Sequence, residues 1–225
     1  MNFYLLTEGR TEEIVYRHWL TYIFPNMRQV FRFDQIEKDN FIIKSSSGYP
    51  FRNTVLQDAI HTCNMYGKID YLILIADCDD EDLADRKKFI VDQLQNDGLR
   101  LKHGNLKIFL QKKCFESWCL GSIKFNTFDG SSNYKKFVSF YDVSEEDPEL
   151  MTKPKWFRKS NSIFHFYYFR EMMKQSKQRY HKAHPGVVLS KYFFEDIVER
   201  IDSTPHLNSF KEFYNFMIGL STRDR

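Results

Sequence analysis

The sequence has no cysteine pair spaced CxxC. Its four cysteines, Cys63, Cys78, Cys114 and Cys119, match no common zinc spacing and predict free thiols in the reducing cytoplasm. No apolar stretch approaches the roughly 20 residues needed to cross a bilayer, which argues against a membrane role. Nothing at the start has the form of a signal peptide, because Met1-Asn2-Phe3 runs straight into a strand-like segment. There is no GxxxxGK[ST] and no GxGxxG, so the chain is not expected to bind ATP through a P-loop. No two histidines form HxxxH or HxH, which removes the usual zinc arrangements. Internal repeats and low-complexity tails are also missing. Nor does one sign of charge dominate: 33 Lys and Arg against 30 Asp and Glu leave a net charge of +3, too small to name a partner.

What is present suits a globular chain. The 225 residues are 42% hydrophobic and 28% charged, enough to bury a core without staples, and 22 Phe with 13 Tyr can fill it. FYLL at 3–6 is a short apolar run of strand type, followed by the polar turn TEGR. From Thr11, residues Ile14, Val15, Trp19, Leu20 and Ile23 recur at helical spacing until Pro25; Thr11 is the expected cap, with Glu12 and Glu13 in the first turn. Residues 28–33 and 41–43 are strand candidates, SSSGYP at 45–50 a loop, and 52–66 a helix. YLILIA at 71–76 is apolar on both faces, as a central strand is. A helix of about 15 residues ends at Gly98, and LKIFL at 106–110 is another buried strand. This order predicts an α/β fold with a largely parallel sheet flanked by helices. Residues 122–160, with Pro148 and Pro154, are loop-rich, and helical patterns follow near 162–178, 188–201 and 207–219. The expected division is 1–120 for the sheet domain and 121–225 for a mainly helical C-terminal extension.

Charge is segregated along the chain. Residues 77–97 hold eight acids against three bases, and residues 153–182 hold nine Lys or Arg against one acid, Glu171. The basic run is either a solvated helix face or a surface that meets phosphates.

The acids fall where an α/β sheet collects ligands, beyond the carboxyl ends of its strands. The first strand ends at Glu8, the second at Asp77 and Asp79, the third near Glu116, and Glu12 follows Glu8 by one helical turn. Such a ring of carboxylates repels itself, and hard cations such as Mg²⁺ or Mn²⁺ resolve that repulsion. Asp80, Glu81 and Asp82 have a simpler role as caps and first-turn acids of the next helix.

These residues carry a resemblance. FYLLTEGRTEE at 3–13 followed by YLILIADCDD at 71–80 resembles the Toprim fold of topoisomerases and primases, which is Rossmann-like. EGRTE is similar to the form found in the nucleases named for overcoming lysogenization defect and in small stand-alone RloB-like Toprim proteins. FESW at 115–118, the Tyr180, Lys182 and Gly186 pattern, and NSFKEF at 208–213 resemble the latter. The resemblance implies a metal-dependent nuclease hydrolysing phosphodiesters of DNA or RNA, with Glu8, Glu12, Asp77, Asp79 and Glu116 at a two-metal site. Glu8, Asp77 and Asp79 would be catalytic together with a lysine, for which Lys182 is the first choice and Lys112 and Lys113 are rivals. Where related nucleases carry Ser two residues before the third-strand Glu, this chain has Cys114, a buried thiol rather than a ligand. Similar small Toprim proteins accompany an ATPase in bacterial anti-phage defence, so an ATPase partner is implied. A homo-oligomer is compatible with this reading.

Two rivals remain: a primase-like nucleotidyl transferase, and a non-catalytic module with a degenerate site that binds nucleic acid or protein. In the basic run, Lys153, Lys155, Arg158, Lys159, Lys177 and Arg179 are the expected phosphate contacts. Nucleic-acid affinity should therefore fall steeply with salt. Reversing Arg158 and Lys159 to Glu should lower the log–log salt slope by about 0.7–0.9 for each phosphate no longer neutralised; a titration that leaves affinity and slope unchanged would remove this surface.

Overall fold

The computed structural model describes residues 1–46, 53–126 and 132–223. The chain divides into two compact units. The first comprises Met1–Ala76, Asp82–Leu110 and Phe216–Arg225, and the second Asp77–Glu81 and Gln111–Asn215.

The first unit is built on a sheet. In chain order the elements are β1 (Phe3–Thr7), α1 (Arg10–Ile23), β2 (Arg28–Gln29), β3 (Asn40–Ser45), α2 (Asn53–Tyr66), β4 (Tyr71–Asp77), α3 (Leu83–Asn96) and β5 (Asn105–Gln111). The strand order is β2-β3-β1-β4-β5 and all five strands are parallel. Thr7 is in register with Ser45 on one side and Ile75 on the other. Alternation along β1 divides the core. Tyr4 and Leu6 face Leu56, Ile60 and Cys63 of α2 and Ile90 and Leu94 of α3. On the other face Phe3 meets Phe24 and Tyr71, and Phe216 covers Tyr71 and Phe109. Every residue of β1 and the interior of β4 are buried, as continuous apolar runs in a parallel sheet require.

Three local expectations are corrected. Thr11 does not cap α1: Gly9 is the N-cap, and Thr11 lies buried in the first turn beside Glu12 and Glu13. The strand expected at 28–33 stops at Gln29, because the Gln35 side-chain oxygen captures the Phe31 and Arg32 amides and turns the chain. The loop-rich stretch 122–160 contains a helix, α5 (Ser132–Val138). The predicted loop at 45–50 begins with Ser45, which ends β3, and its last four residues lie outside the described residues.

The second unit is helical: α4 (Phe115–Cys119), α5, α6 (Asn161–Gln175), α7 (Lys191–Ser203) and the first half of α8 (Asn208–Arg223), whose later residues belong to the first unit. Its core stacks Trp118 on Phe213 and sets it edge-to-face with Phe210, and the Trp118 indole N–H donates to Ser209 Oγ at 2.7 Å. Ser209 in turn donates its amide to the buried Glu149 carboxylate. Buried Arg200 donates to the carbonyls of Val143, Ser144 and Glu146, gathering that loop around one guanidinium. Among the described residues no helix is long and apolar enough to cross a membrane.

In the acid cluster after β4, Asp82 has a purely structural role. Asp82 caps α3, accepting from the amides of Ala84 at 2.8 Å and Asp85 at 3.3 Å. Asp82→Ala should lower stability by about 1 kcal/mol in urea unfolding, and Asp82→Asn should recover most of it.

Candidate functional site

The first unit holds two of the predicted acids. Glu8 directly follows β1 and is 6% exposed; its amide donates to Ile75 O and its carbonyl accepts from Ser46 Oγ. Glu12 is 7% exposed in the first turn of α1, and its carboxylate folds back over the N-cap. A Cβ added to Gly9 would stand 2.6 Å from Glu12 Oε2, so the glycine of EGRTE makes room for that carboxylate.

The second unit holds the rest. The segment after β4 is fixed by its backbone: Cys78 N donates to Gln111 O and Asp79 N to Lys113 O, each at 2.9 Å. Asp79 takes a left-handed conformation, φ 48°, and its carboxylate accepts from Ser162 Oγ. Asp80 accepts from Asn161 Nδ2 and lies 4.0 Å from Lys113 Nζ. The first turn of α6 thus holds both acids through Asn161 and Ser162. Sequence reasoning missed both; the available signal was the polar SNS at 160–162 before an apolar run, where Ser160 caps α6.

Glu116 does not end a strand. β5 stops at Gln111, and Glu116 sits in the first turn of α4. It is 2% exposed, and a carboxylate so buried requires partners. Tyr180 supplies one, its hydroxyl donating to Glu116 Oε1 at 2.9 Å, and the Lys182 ammonium lies 3.7 Å from the same oxygen. Lys182 keeps its side chain 60% exposed, so the ammonium reaches both Glu116 and solvent. A tight turn presents it: His184 N donates to His181 O at 2.8 Å, and Gly186, at φ +63°, closes the base. A Cβ on Gly186 would stand 2.8 Å from Arg179 O.

Cys114 links these groups. Its thiol is buried, which pushes its pKa well up; the Glu116 and Asp77 charges push it further and Lys182 opposes them. Asp77, Glu116 and Lys182 therefore share one electrostatic neighbourhood. Ser117 Oγ lies 2.8 Å from His165 Nδ1, and His165 Nε2 lies 3.0 Å from Met151 O. The carbonyl can only accept, so Nε2 carries the proton and Nδ1 accepts from the serine. Both side chains are fully buried and brace α4 against α6.

Of the predicted phosphate contacts, Lys155, Arg158, Lys159, Lys177 and Arg179 are exposed. Lys153 is half-buried, with its ammonium on Phe157 O at 3.3 Å. Tyr168 and Tyr180 are buried.

Asp77, Asp79 and Glu116 offer oxygen donors, the chemistry Mg²⁺ and Mn²⁺ favour. Softer ligands do not compete, since the Cys114 thiol stays protonated and both His165 nitrogens are engaged. Among the described residues no group of three or more His, Cys, Asp or Glu side chains is disposed to hold a metal ion. Mg²⁺ commonly takes only one or two protein carboxylates, completing its shell with waters and substrate phosphate, so the oxygen chemistry of these acids fits it although the three are not gathered into one cluster. No family profile, curated protein or solved structure matches the chain.

Burial lowers the His165 pKa from 6.5 to about 4. Between those values the unfolded chain binds a proton that the folded chain excludes, so stability should be full above pH 6.5 and decline toward pH 4. The full effect is on the order of 3 kcal/mol, with about 2 kcal/mol lost by pH 5. Glu149, whose carboxyl burial raises, works in the opposite direction as pH falls. Comparing urea midpoints at pH 7 and pH 5 with those of His165→Gln isolates the histidine, and the variant should show the smaller change.

Proposed function

We propose that the chain is a divalent-metal-dependent nuclease, as its resemblance to small Toprim proteins implies, hydrolysing phosphodiester bonds of DNA or RNA. The observation that carries this reading is Glu116: a buried carboxylate held by Tyr180, with an exposed ammonium 3.7 Å away and Asp77 near the same thiol. Asp77, Asp79 and Glu116 are the proposed ligands. Glu8 and Glu12 join them on the strength of the sequence alone.

A bound divalent ion would supply charge neutralisation at the phosphate and an acidified water. The protein's own groups do the rest. Tyr180 fixes one Glu116 oxygen. Lys182 Nζ offers three N–H donors to a non-bridging phosphate oxygen, whose negative charge grows as the phosphorus becomes pentacovalent. Ser162 orients Asp79. A role in anti-phage defence with an ATPase partner follows from the resemblance; the lack of a P-loop in this chain is compatible with it. The free cysteines suit the reducing cytoplasm.

The test is cleavage of DNA and RNA with Mg²⁺ or Mn²⁺. Asp77→Ala should abolish activity. Lys182→Ala should lower kcat by about 10²–10³, with Lys182→Arg in between. Gly186→Ala should reduce kcat while leaving the fold intact, because it displaces the turn that carries Lys182. Asp77→Asn should also raise the metal-free melting temperature slightly, by removing one of the clustered negative charges. An Asp77→Ala protein as active as the parent would end the nuclease reading in favour of a binding module.

A further inference from the structure

The nucleic acid this site would act on can be specified further, given the nuclease reading. In the second unit, three aromatic rings on α6 and the loop before it, Trp156, Tyr167 and Phe166, carry cations. Lys136 Nζ lies 3.9 Å from the Trp156 ring centroid. Lys159 Nζ and Arg170 Cζ lie 5.7 and 4.8 Å from Tyr167. Arg170 Cζ and Lys182 Nζ lie 5.7 and 5.6 Å from Phe166. The rings also adjoin one another: Trp156 to Phe157 at 6.1 Å, Phe157 to Tyr167 at 6.1 Å, and Tyr167 to Phe166 at 5.5 Å. The series runs without a break from Lys136 on α5 to Lys182, the residue beside Glu116.

We propose that this track binds a single-stranded nucleic acid, DNA or RNA, and leads it to the acids of the second unit. Its two kinds of group match the two faces of such a strand: cations for the phosphates and rings for unpaired bases. A duplex offers phosphates but keeps its bases stacked inside, so the rings would find nothing to stack on. Trp156 is 46% exposed, and an indole left in water on a basic surface is what a base-stacking platform requires. The one acid between residues 153 and 182, Glu171, is held by Lys174 at 2.6 Å and Arg170 at 3.8 Å, so no carboxylate opposes the strand along that run. Lys136 over Trp156 does not block stacking, because an exposed cation–π contact is weaker than a base on an indole.

The protein carries its own reporter. Trp19 and Trp118 are fully buried, so Trp156 is the tryptophan that a bound base can quench. The experiment titrates the full chain in EDTA with oligo-dT and oligo-U 20-mers and with a duplex of the same length, reading tryptophan emission and anisotropy of a labelled strand. Single strands of one or both kinds should quench emission and bind at least tenfold more tightly than duplex. Trp156→Ala should lose about tenfold in single-strand affinity, Trp156→Phe much less, and neither should change duplex binding. The ratio of dT to U affinity identifies the sugar. Equal binding of duplex and single strand without quenching would overturn the track, even if the protein cleaves both with Mg²⁺. Displacement of the strand by poly-glutamate at matched charge concentration, with Trp156→Ala as tight as the parent, would also overturn it in favour of an acidic protein partner. Quenching and tight single-strand binding without metal-dependent cleavage would uphold the track and overturn the nuclease reading.

Discussion

A carboxylate at 2% exposure is the constraint around which the second unit is arranged. Glu116 stays in the interior because Tyr180 and Lys182 compensate it, and they reach it from 64 residues away in sequence, counted to Tyr180. Their approach needs α6 to turn back past Lys177, which is left-handed at φ 56°, and a second turn to close at Gly186. Tyr180 is wedged against Phe169 and Phe166 on the way. Removing either Glu116 partner leaves a charge in surroundings that cannot solvate it, so the arrangement holds together as a group.

The same logic separates acids that build from acids that are available for chemistry. Asp82 is a cap, and Asp80 is tied to Asn161 and lies near Lys113. Asp147 accepts the amides of Glu149 and Leu207, and Glu149 holds Ser209. Glu116 differs in being set beside an exposed lysine, Lys182 at 3.7 Å. The Ser117–His165 pair has the atoms of a nucleophile and a base, but full burial makes it a brace; access, not residue type, decides its role.

β4 was legible in the sequence because both its faces are covered, which leaves no polar alternation to blur the pattern. α1, α2 and α3 were legible because each buries one stripe. β2 was not, because a glutamine side chain, rather than any hydrophobic period, ends it. α5 is one short helix in a stretch punctuated by turns. The strand at 106–110 was legible, but Glu116 was wrongly read as its end: Gln111, Lys112 and Lys113 separate the apolar run from the short helix that carries Glu116. Tyr180 and Lys182 could be found by resemblance, but their bond to Glu116 could not. For Asn161 and Ser162 the polar SNS at 160–162 marked a helix start, but not their partners: they meet Asp80 and Asp79 across 81 and 83 residues, and no local pattern encodes such a separation.

The last helix has a consequence for how the chain is made. α8 gives its first half to one unit and its second half to the other, with Phe210 and Phe213 against Trp118 and Phe216 against Tyr71 and Phe109. During synthesis the second unit's core lacks Phe210 and Phe213, and the first unit's core lacks Phe216, until α8 has left the ribosome. Until then the nascent protein exposes Trp118 in the second unit and the Tyr71–Phe109 face of the sheet in the first. A ribosome stalled before α8 would therefore hold two open cores at once.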